Sequence, residues 1–392
     1  MNLHQHLANF KIGLRAHSPR HPRYLSNMVK RRLRCGLHLD HLWPGGWSPR
    51  PILWVDAIPT YRCNLECKMC FQRNDEGAVR WALQDQELSP DQWKLIIDRV
   101  AQFAPTILWI GGEVLIYPRI VELLAYSKRK GLKVLIVTNG FFLANVAEKL
   151  VEIGVDLVTV SIDGSETLHN AIRQNSQAFT RAVEGIKAVL AVRQARRSSL
   201  PIVTINHVIT RHNYRQIFEF VTFARELGVD VVQFLGLIYL DQTTMQCHRE
   251  VLRSEFSIEA ANIDALDNSQ YASGIDTTWL QEQINTLRET SPGFPALRFC
   301  PSGFEDYIEA HYGPDGLLPL AHQRCSAPWQ KMTIQPNGDV IGCCKLPNLY
   351  TGNVLNEDLE SIWNGQAFRR FRQRIKQGPL PGCIRCGWLS YR

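Results

Sequence analysis

The sequence predicts an α/β fold: a partial (β/α)6 parallel barrel followed by a smaller C-terminal module, a β-hairpin and a helix around a cluster. Three observations predict it. Between residues 52 and 235, short Val/Ile/Leu-rich runs alternate with longer helical patterns. Those runs hold few polar residues, as expected of parallel strands covered on both faces. Seven of the 11 cysteines fall into two spaced groups, one inside this alternation and one near the C-terminus.

The predicted strands are 52–57, 107–110, 134–138, 157–161, 203–208 and 231–234. The first intervening helix opens at Ser89-Pro90-Asp91, an N-cap serine followed by proline at N1, and runs to about 103. Further helices are expected near 118–130, 143–153, 177–195 and 213–227. Gly131, Gly154 and Gly228 stand just past three of them, where a C′ glycine belongs. Six βα units in series place chemistry at the C-terminal ends of the strands. After Leu240 the regularity stops: 241–320 holds helical stretches near 257–268 and 278–290 and then Gly/Pro-rich sequence, a connector or substrate-covering region. The expected organisation is a basic extension over 1–50, the barrel over 51–240, the connector over 241–320 and the cysteine-bearing module over 321–392.

The chain of 392 residues is long enough for one large unit and an appended one, and 45% hydrophobic residues suffice for a full core. No run of eighteen apolar residues appears, so no membrane span is expected, and the N-terminus lacks the apolar segment of a signal peptide. A cytoplasmic protein is the resulting expectation. Residues 1–50, with nine Lys/Arg against Asp40 alone, carry +8, which leaves the rest of the chain near −1 of the net +7. Such an arm suits an anionic partner, nucleic acid or a membrane surface, but with no recognised binding motif beside it the first reading is a solvated or packing extension. In a reducing compartment, clustered cysteines point to metal or catalysis.

Cys63, Cys67 and Cys70 form a C-x-x-x-C-x-x-C loop directly after the first strand. Iron–sulfur clusters usually take four cysteines. Three thiolates on one loop hold one face of a cubane and leave one iron open for a substrate or cofactor. A structural zinc with a fourth ligand from elsewhere is the alternative. In the tail, Cys325 precedes a turn signal, Pro336-Asn337-Gly338-Asp339, that reads as a hairpin. Cys343 ends the hairpin, and Cys383 and Cys386 follow a helix near 357–377. These four thiols are spaced for zinc as well as for a cluster. Cys344 is a substitute for Cys343, though the spacing from Gly338 favours Cys343. Cys300 is a further candidate ligand or hydrogen-atom donor, or a buried structural thiol.

On these motifs the chain resembles the radical S-adenosylmethionine (SAM) superfamily. The cysteine loop with Phe71 after it, Gly111-Gly112-Glu113 after the second strand, Thr138-Asn139-Gly140 after the third and Ser161-Ile162-Asp163-Gly164 after the fourth come in that family's order. Val114 departs from the family's G-G-E-P, where proline stands. The resemblance implies a 4Fe–4S cluster on Cys63, Cys67 and Cys70 that binds SAM. It implies SAM contacts from Gly111, Gly112, Glu113, Asn139, Ser161, Asp163 and Arg173, with Asn213 in support. It also implies a flavodoxin- or ferredoxin-type electron donor. The tail resembles the family's SPASM/twitch extension, implying one auxiliary 4Fe–4S cluster on Cys325, Cys343, Cys383 and Cys386.

By that resemblance the expected activity is reductive cleavage of SAM to a 5′-deoxyadenosyl radical that abstracts hydrogen from a substrate. The first expectation is oxidation or rearrangement of a small hydroxylated metabolite, sugar- or aminocyclitol-like. A maturase of a peptide or protein side chain is the alternative, and a non-catalytic iron–sulfur or nucleic-acid-binding protein the third class. No catalytic base is assigned. Asp241, His248, Glu305, Asp306, His311 and His322 read as polar residues of an irregular segment, most of them solvated or locally satisfied.

Overall fold

A computed structural model describes residues 44–48, 52–70, 72, 83, 86–259, 263–291, 293, 295–313, 324–343 and 349–390. The basic arm apart from 44–48, and Cys35, Phe71, His322 and Cys344, lie outside them. The barrel strands are β1 (Trp54–Ala57), β2 (Thr106–Trp109), β3 (Lys133–Thr138), β4 (Leu157–Ser161), β5 (Ile202–Ile209) and β6 (Val231–Gly236). All pair parallel in chain order. Helices α1 (Pro90–Ala101), α2 (Ile120–Arg129), α3 (Leu143–Ile153), α4 (Glu166–Arg173), α5 (Ala178–Ala195) and α6 (Ile217–Leu227) cover the outer face. Ser89 caps α1 in a full capping box with Gln92, as the N-cap serine foretells.

The segment 241–320 is more regular than its sequence suggests. The helix expected at 257–268 is instead α7 (Gln242–Val251), started by Asp241, whose carboxylate accepts from the Thr244 N–H at 2.8 Å. It is followed by α8 (Thr277–Thr290) and by a seventh parallel strand, β7 (Ala296–Cys300), on β6. β7 escapes a reading by apolar content because Arg298 stands at its centre.

The tail supplies β8 (Arg324–Cys325), the hairpin β9 (Lys331–Ile334) and β10 (Asp339–Ile341), then β11 (Tyr350–Asn353). Gly338, at φ +86°, takes the left-handed position the hairpin turn requires. The helix expected at 357–377 is broken at Asn364-Gly365 into two, α9 (Leu359–Trp363) and α10 (Gln366–Lys376). The hairpin does not form a sheet of its own. β9 pairs parallel with β1, Trp54 opposite Lys331 and Ala57 opposite Ile334, so ten strands form one open sheet. One core follows, running from Trp93 and Trp109, ring centroids 5.2 Å apart, to Trp363, Phe368 and Phe371 of the tail. Each such aromatic buries roughly 150–250 Å², on the order of 4–6 kcal/mol of hydrophobic free energy before entropy.

Strand alternation sorts the sheet's two faces. Val55, Trp109, Ile136, Val160, Ile205 and Phe234 are buried under the helices. The opposite face lines a lumen. At its lower end Leu157, Ile202, Val231 and Ala296 pack with Leu200 into a separate apolar plug. Above the plug, Leu108, Val137, Ser161, Asn206, Gln233, Arg298 and Cys300 are half-buried, so this part of the lumen stays open.

His207, on the helix side of β5, packs against Phe220 (4.0 Å between centroids) and Phe234 (5.4 Å). Burial pulls its imidazole down to about 4, below the ordinary 6.5. The unfolded chain therefore takes the proton first, so stability is complete above about pH 6.5 and falls as pH drops toward 4. His207→Phe is expected to remove on the order of 2 kcal/mol of the stability lost between about pH 6.5 and 5. Urea midpoints at the two pH values check this, and an unchanged difference refutes it.

Candidate metal and cofactor sites

The cysteine loop leaves the C-terminal end of β1 and is held from three sides. The Gly112 N–H donates to the Thr60 carbonyl at 3.0 Å, and the Glu113 N–H to that of Arg62 at 2.8 Å. A Cβ on Gly112 would stand 2.1 Å from the Arg62 oxygen and 2.5 Å from that of Tyr61, both backbone atoms. Gly111-Gly112 is thus the surface on which the loop is folded. From the far side, the Glu66 and Lys68 N–H groups donate to the Arg173 and Ile172 carbonyls at the end of α4. Arg62 holds the approach through Glu87, with bonds of 2.9 and 2.7 Å.

Glu113 is fully buried, and donors within the fold surround its carboxylate. They are the Leu115 N–H at 2.9 Å, the Thr138 hydroxyl at 2.7 Å and the Asn139 N–H at 2.7 Å. Burial pushes its carboxyl upward against those donors. It therefore ties the β2 end to the β3 end. Asn139, so placed, reaches back with its amide nitrogen to Asn64 Oδ1 (2.9 Å) and Cys63 Sγ (3.8 Å).

Asp163 and Arg173 form a buried two-point ion pair at 2.6 and 3.1 Å. Burial opposes charge on Asp163, but Arg173 holds it below the usual carboxylate range. The same guanidinium lies 3.6 Å from Cys67 Sγ, an N–H donor beside a thiol. His169 Nδ1 accepts from the Asp163 N–H at 3.1 Å. Asn213 donates to the Asp163 carbonyl at 2.9 Å, so it supports the β4 end from β5. Ser161 is half-buried on the lumen face. All three loop cysteines are half-buried. Thiols on one loop, with N–H donors on two sulfurs and a fixed cation close by, fit a thiolate-held cluster.

In the tail, Cys325, Cys343, Cys383 and Cys386, drawn from three segments, line one cavity with Lys331, Phe371 and Trp388. Four thiols around one cavity are the soft donors an iron–sulfur cluster takes, though among the described residues no three metal-binding side chains are set to hold a single ion. Cys300 Sγ sits 3.7 Å from the Gly387 carbonyl, and burial, with Cys386 adding, pushes its thiol up to about 11. Cys247 is exposed. The other polar candidates, Glu305 excepted, are locally engaged. Asp306 pairs with Arg288 (2.8 Å), His311 bonds the Leu237 carbonyl (3.0 Å) and His248 packs on Gly382. Glu305 accepts from Gln281 only through its backbone carbonyl (2.6 Å), and its Oε2 is buried with no hydrogen-bond partner among the described residues.

Sequence reasoning missed Asp56, which takes the Trp54 indole N–H at 2.6 Å and pairs with Lys331 across the β1–β9 register. It also missed Lys133 and Arg298 on the lumen face. The available signal was a single charged residue within each of these otherwise largely apolar strands.

With this geometry in place, comparison with known proteins defines the class. A radical SAM superfamily model matches residues 57–209, and an iron–sulfur cluster-binding domain model, SPASM, matches 325–387. An AdoMet-dependent heme synthase of Methanosarcina barkeri is 34% identical over 355 residues, 88% of this chain and 89% of that protein. The chain belongs to the radical SAM superfamily and carries a C-terminal SPASM domain. It accordingly takes a SAM-binding 4Fe–4S cluster and auxiliary iron–sulfur chemistry. A tungsten-containing aldehyde ferredoxin oxidoreductase cofactor-modifying protein of Pyrococcus furiosus is 25% identical over 337 residues, 83% of this chain and 85% of that one. Streptococcus suis SuiB bound to its precursor peptide SuiA shares the fold, with TM-score 0.59 at 18% identity over 91% of this chain and 71% of that one. Among the described residues no helix is long and apolar enough to cross a membrane.

Gly112→Ala is expected to displace the cysteine loop and halve the iron content, from about eight to about four per chain. Iron counting and the response of the EPR signal to SAM check this. Loss of the SAM response with the auxiliary signal intact is the expected pattern. Cys343→Ala should give the converse, a SAM-responsive cluster without the auxiliary one.

Proposed function

We propose that the chain performs SAM-dependent radical hydrogen abstraction on a small molecule held in the barrel lumen, with net oxidation of that molecule. When bound, the first cluster with SAM supplies a 5′-deoxyadenosyl radical, and the auxiliary cluster supplies an acceptor for an electron. Cys63, Cys67 and Cys70 hold the first, Cys325, Cys343, Cys383 and Cys386 the second. Glu113, Asn139, Asp163 and Arg173 orient the strand ends around the cysteine loop.

The observation that carries the oxidative reading is a shared wall. Lys331 lines the auxiliary cavity, and its ammonium pairs with Asp56 on the lumen face. Trp388 lines the same cavity and packs edge-on against Trp54, ring centroids 5.9 Å apart. A group in the auxiliary site is therefore one side-chain layer from a molecule in the lumen. Relatives named for heme synthesis and for cofactor modification favour a cofactor precursor over the sugar- or aminocyclitol-like class. A flavodoxin- or ferredoxin-type donor suits the exposed Lys68 between Cys67 and Cys70. The anionic partner of the basic arm rests on sequence alone.

Anaerobically reconstituted protein, SAM and a reductant should be incubated with heme precursors, aminocyclitols and short peptides in turn. The expected result is product and 5′-deoxyadenosine in equal amounts with one small-molecule class. Turnover of the peptide alone selects the maturase reading, and full activity in Cys63→Ala overturns radical chemistry altogether.

A further inference from the structure

We propose that Arg298 is an anion anchor inside the lumen, and that the substrate enters with a carboxylate or phosphate leading and its reacting carbons above it. This rests on the reading that the lumen holds the substrate, and it adds the substrate's chemical class and orientation.

The direction of Arg298 follows from its neighbours on β7. Phe299 stacks on Phe234 under the helices at 5.6 Å, and Leu297 is buried on the same side. Arg298 and Cys300 therefore face the lumen, in register with Gln233 and Leu235 of β6. Beneath Arg298 lies the plug of Leu157, Ile202, Val231 and Ala296. Above it, β7 ends two residues later at Cys300, about 7 Å nearer the mouth. The guanidinium thus stands on the floor of the open lumen, below the strand ends that carry the cysteine loop.

What distinguishes Arg298 is the lack of any hydrogen-bond or charged partner among the described residues, since even the buried Arg372 and Arg385 donate to backbone carbonyls. Arg62, Arg173 and Arg193 each have a carboxylate oxygen within 2.7 Å. Among the described residues Arg298 makes no hydrogen bond or ion pair, and burial alone pulls its guanidinium below the ordinary range. Its register neighbour Gln233 is turned away, its amide donating to Asn206 at 3.2 Å. Asp56, the lumen carboxylate of β1, is taken by Lys331 and Trp54.

Lys133 adds a second cation. Its amine is drawn down to about 8 by burial, against the pull of Asp156 at the lower rim and with repulsion from Arg298. The inward faces of β1–β7 and β9 thus carry Lys133, Arg298 and Lys331 against Asp56. An unpaired cation in a half-buried cavity is costly, and an anionic ligand group removes the cost. The planar five-donor guanidinium matches carboxylate and phosphate in two-point geometry. The SAM carboxylate is not the natural partner, since SAM belongs with the loop at the opposite, upper end.

The test uses the reconstituted full chain with SAM bound and isothermal titration calorimetry. The probes are hexanoate, butyl phosphate and the neutral hexanamide. Wild-type protein should bind at least one anion at millimolar concentration and not the amide. Arg298→Gln should weaken that binding by at least about tenfold, with iron content and SAM affinity unchanged. Arg298→Lys, which keeps the charge, should retain part of it. Preference for hexanoate or butyl phosphate tells a carboxylate substrate from a phosphate one. Anion binding that is absent from wild type, equal for the amide, or untouched in Arg298→Gln overturns the proposal. So does a loss of SAM affinity in Arg298→Gln matching the loss of anion binding, because the anchor would then serve SAM. Neither result bears on whether the protein cleaves SAM, which 5′-deoxyadenosine formation measures separately.

Discussion

The placement of β1 between β2 and β9 is the constraint on which the rest depends. This four-residue strand is hydrogen-bonded in parallel on both sides. Its C-terminal end leads into the cysteine loop, so its height in the sheet sets where the first cluster is held. Its other neighbour belongs to the tail, so the same strand sets where the auxiliary cavity sits. A register slip of one residue would turn Asp56 from Lys331 toward the helices and bury a lone carboxylate in the core. The Asp56–Lys331 pair therefore acts as a register lock as well as a lumen wall. A β9–β1 pairing that buries the hairpin in the main core also explains how a small cysteine-rich module folds without a core of its own.

Around the cysteine loop, order comes from polar groups that face inward and satisfy one another. Glu113 joins the β2 and β3 ends, Asn139 passes that order to Asn64 and Cys63, and Asp163 with Arg173 does the same for Cys67 from β4 and α4. Each bond is worth about 1 kcal/mol net, yet losing one partner strands the other in a buried setting, at roughly 1–3 kcal/mol. Such a network holds its geometry because partial versions of it are worse than none. Val114 in place of a proline is accommodated in it. Val114 is buried and starts a short 3₁₀ turn capped by Glu113, so side-chain packing and the cap define the turn.

Much of this was legible in the sequence, and what was not shares one physical character. Barrel strands and helices stand within a few residues of their expected places because apolar periodicity and caps such as Ser89 are local signals. The Asn-Gly turn announced the hairpin for the same reason. The cysteine loop and the Gly-Gly-Glu run were visible as candidate positions. Their partners were not: that Glu113 spends its oxygens on Leu115, Thr138 and Asn139 depends on contacts between strand ends far apart in the chain. The β9–β1 pairing is nonlocal in the same way. Helix α4 was overlooked because eight residues with a single apolar pair at helical spacing, Leu168 and Ile172, make a weak pattern. β7 was overlooked because its central residue serves the lumen rather than the core.

That last miss is instructive, because a strand that breaks the apolar pattern does so at a cost in stability. Parallel strands flanked by helices on one side and a filled interior on the other need no charge. Here Lys133, Arg298 and Lys331 each occupy an inward position where Val or Leu would pack, while Ala296 in the plug shows that β7 accepts apolar packing two residues below Arg298. Lys331 recovers its cost through Asp56, and Arg298 does not within the described chain. The open, cation-rich part of the lumen begins where the plug ends and stops where the auxiliary cavity and the cysteine loop begin. The fold thus grades the lumen from apolar floor to charged middle to thiol-lined mouth, and that gradient orients whatever enters it.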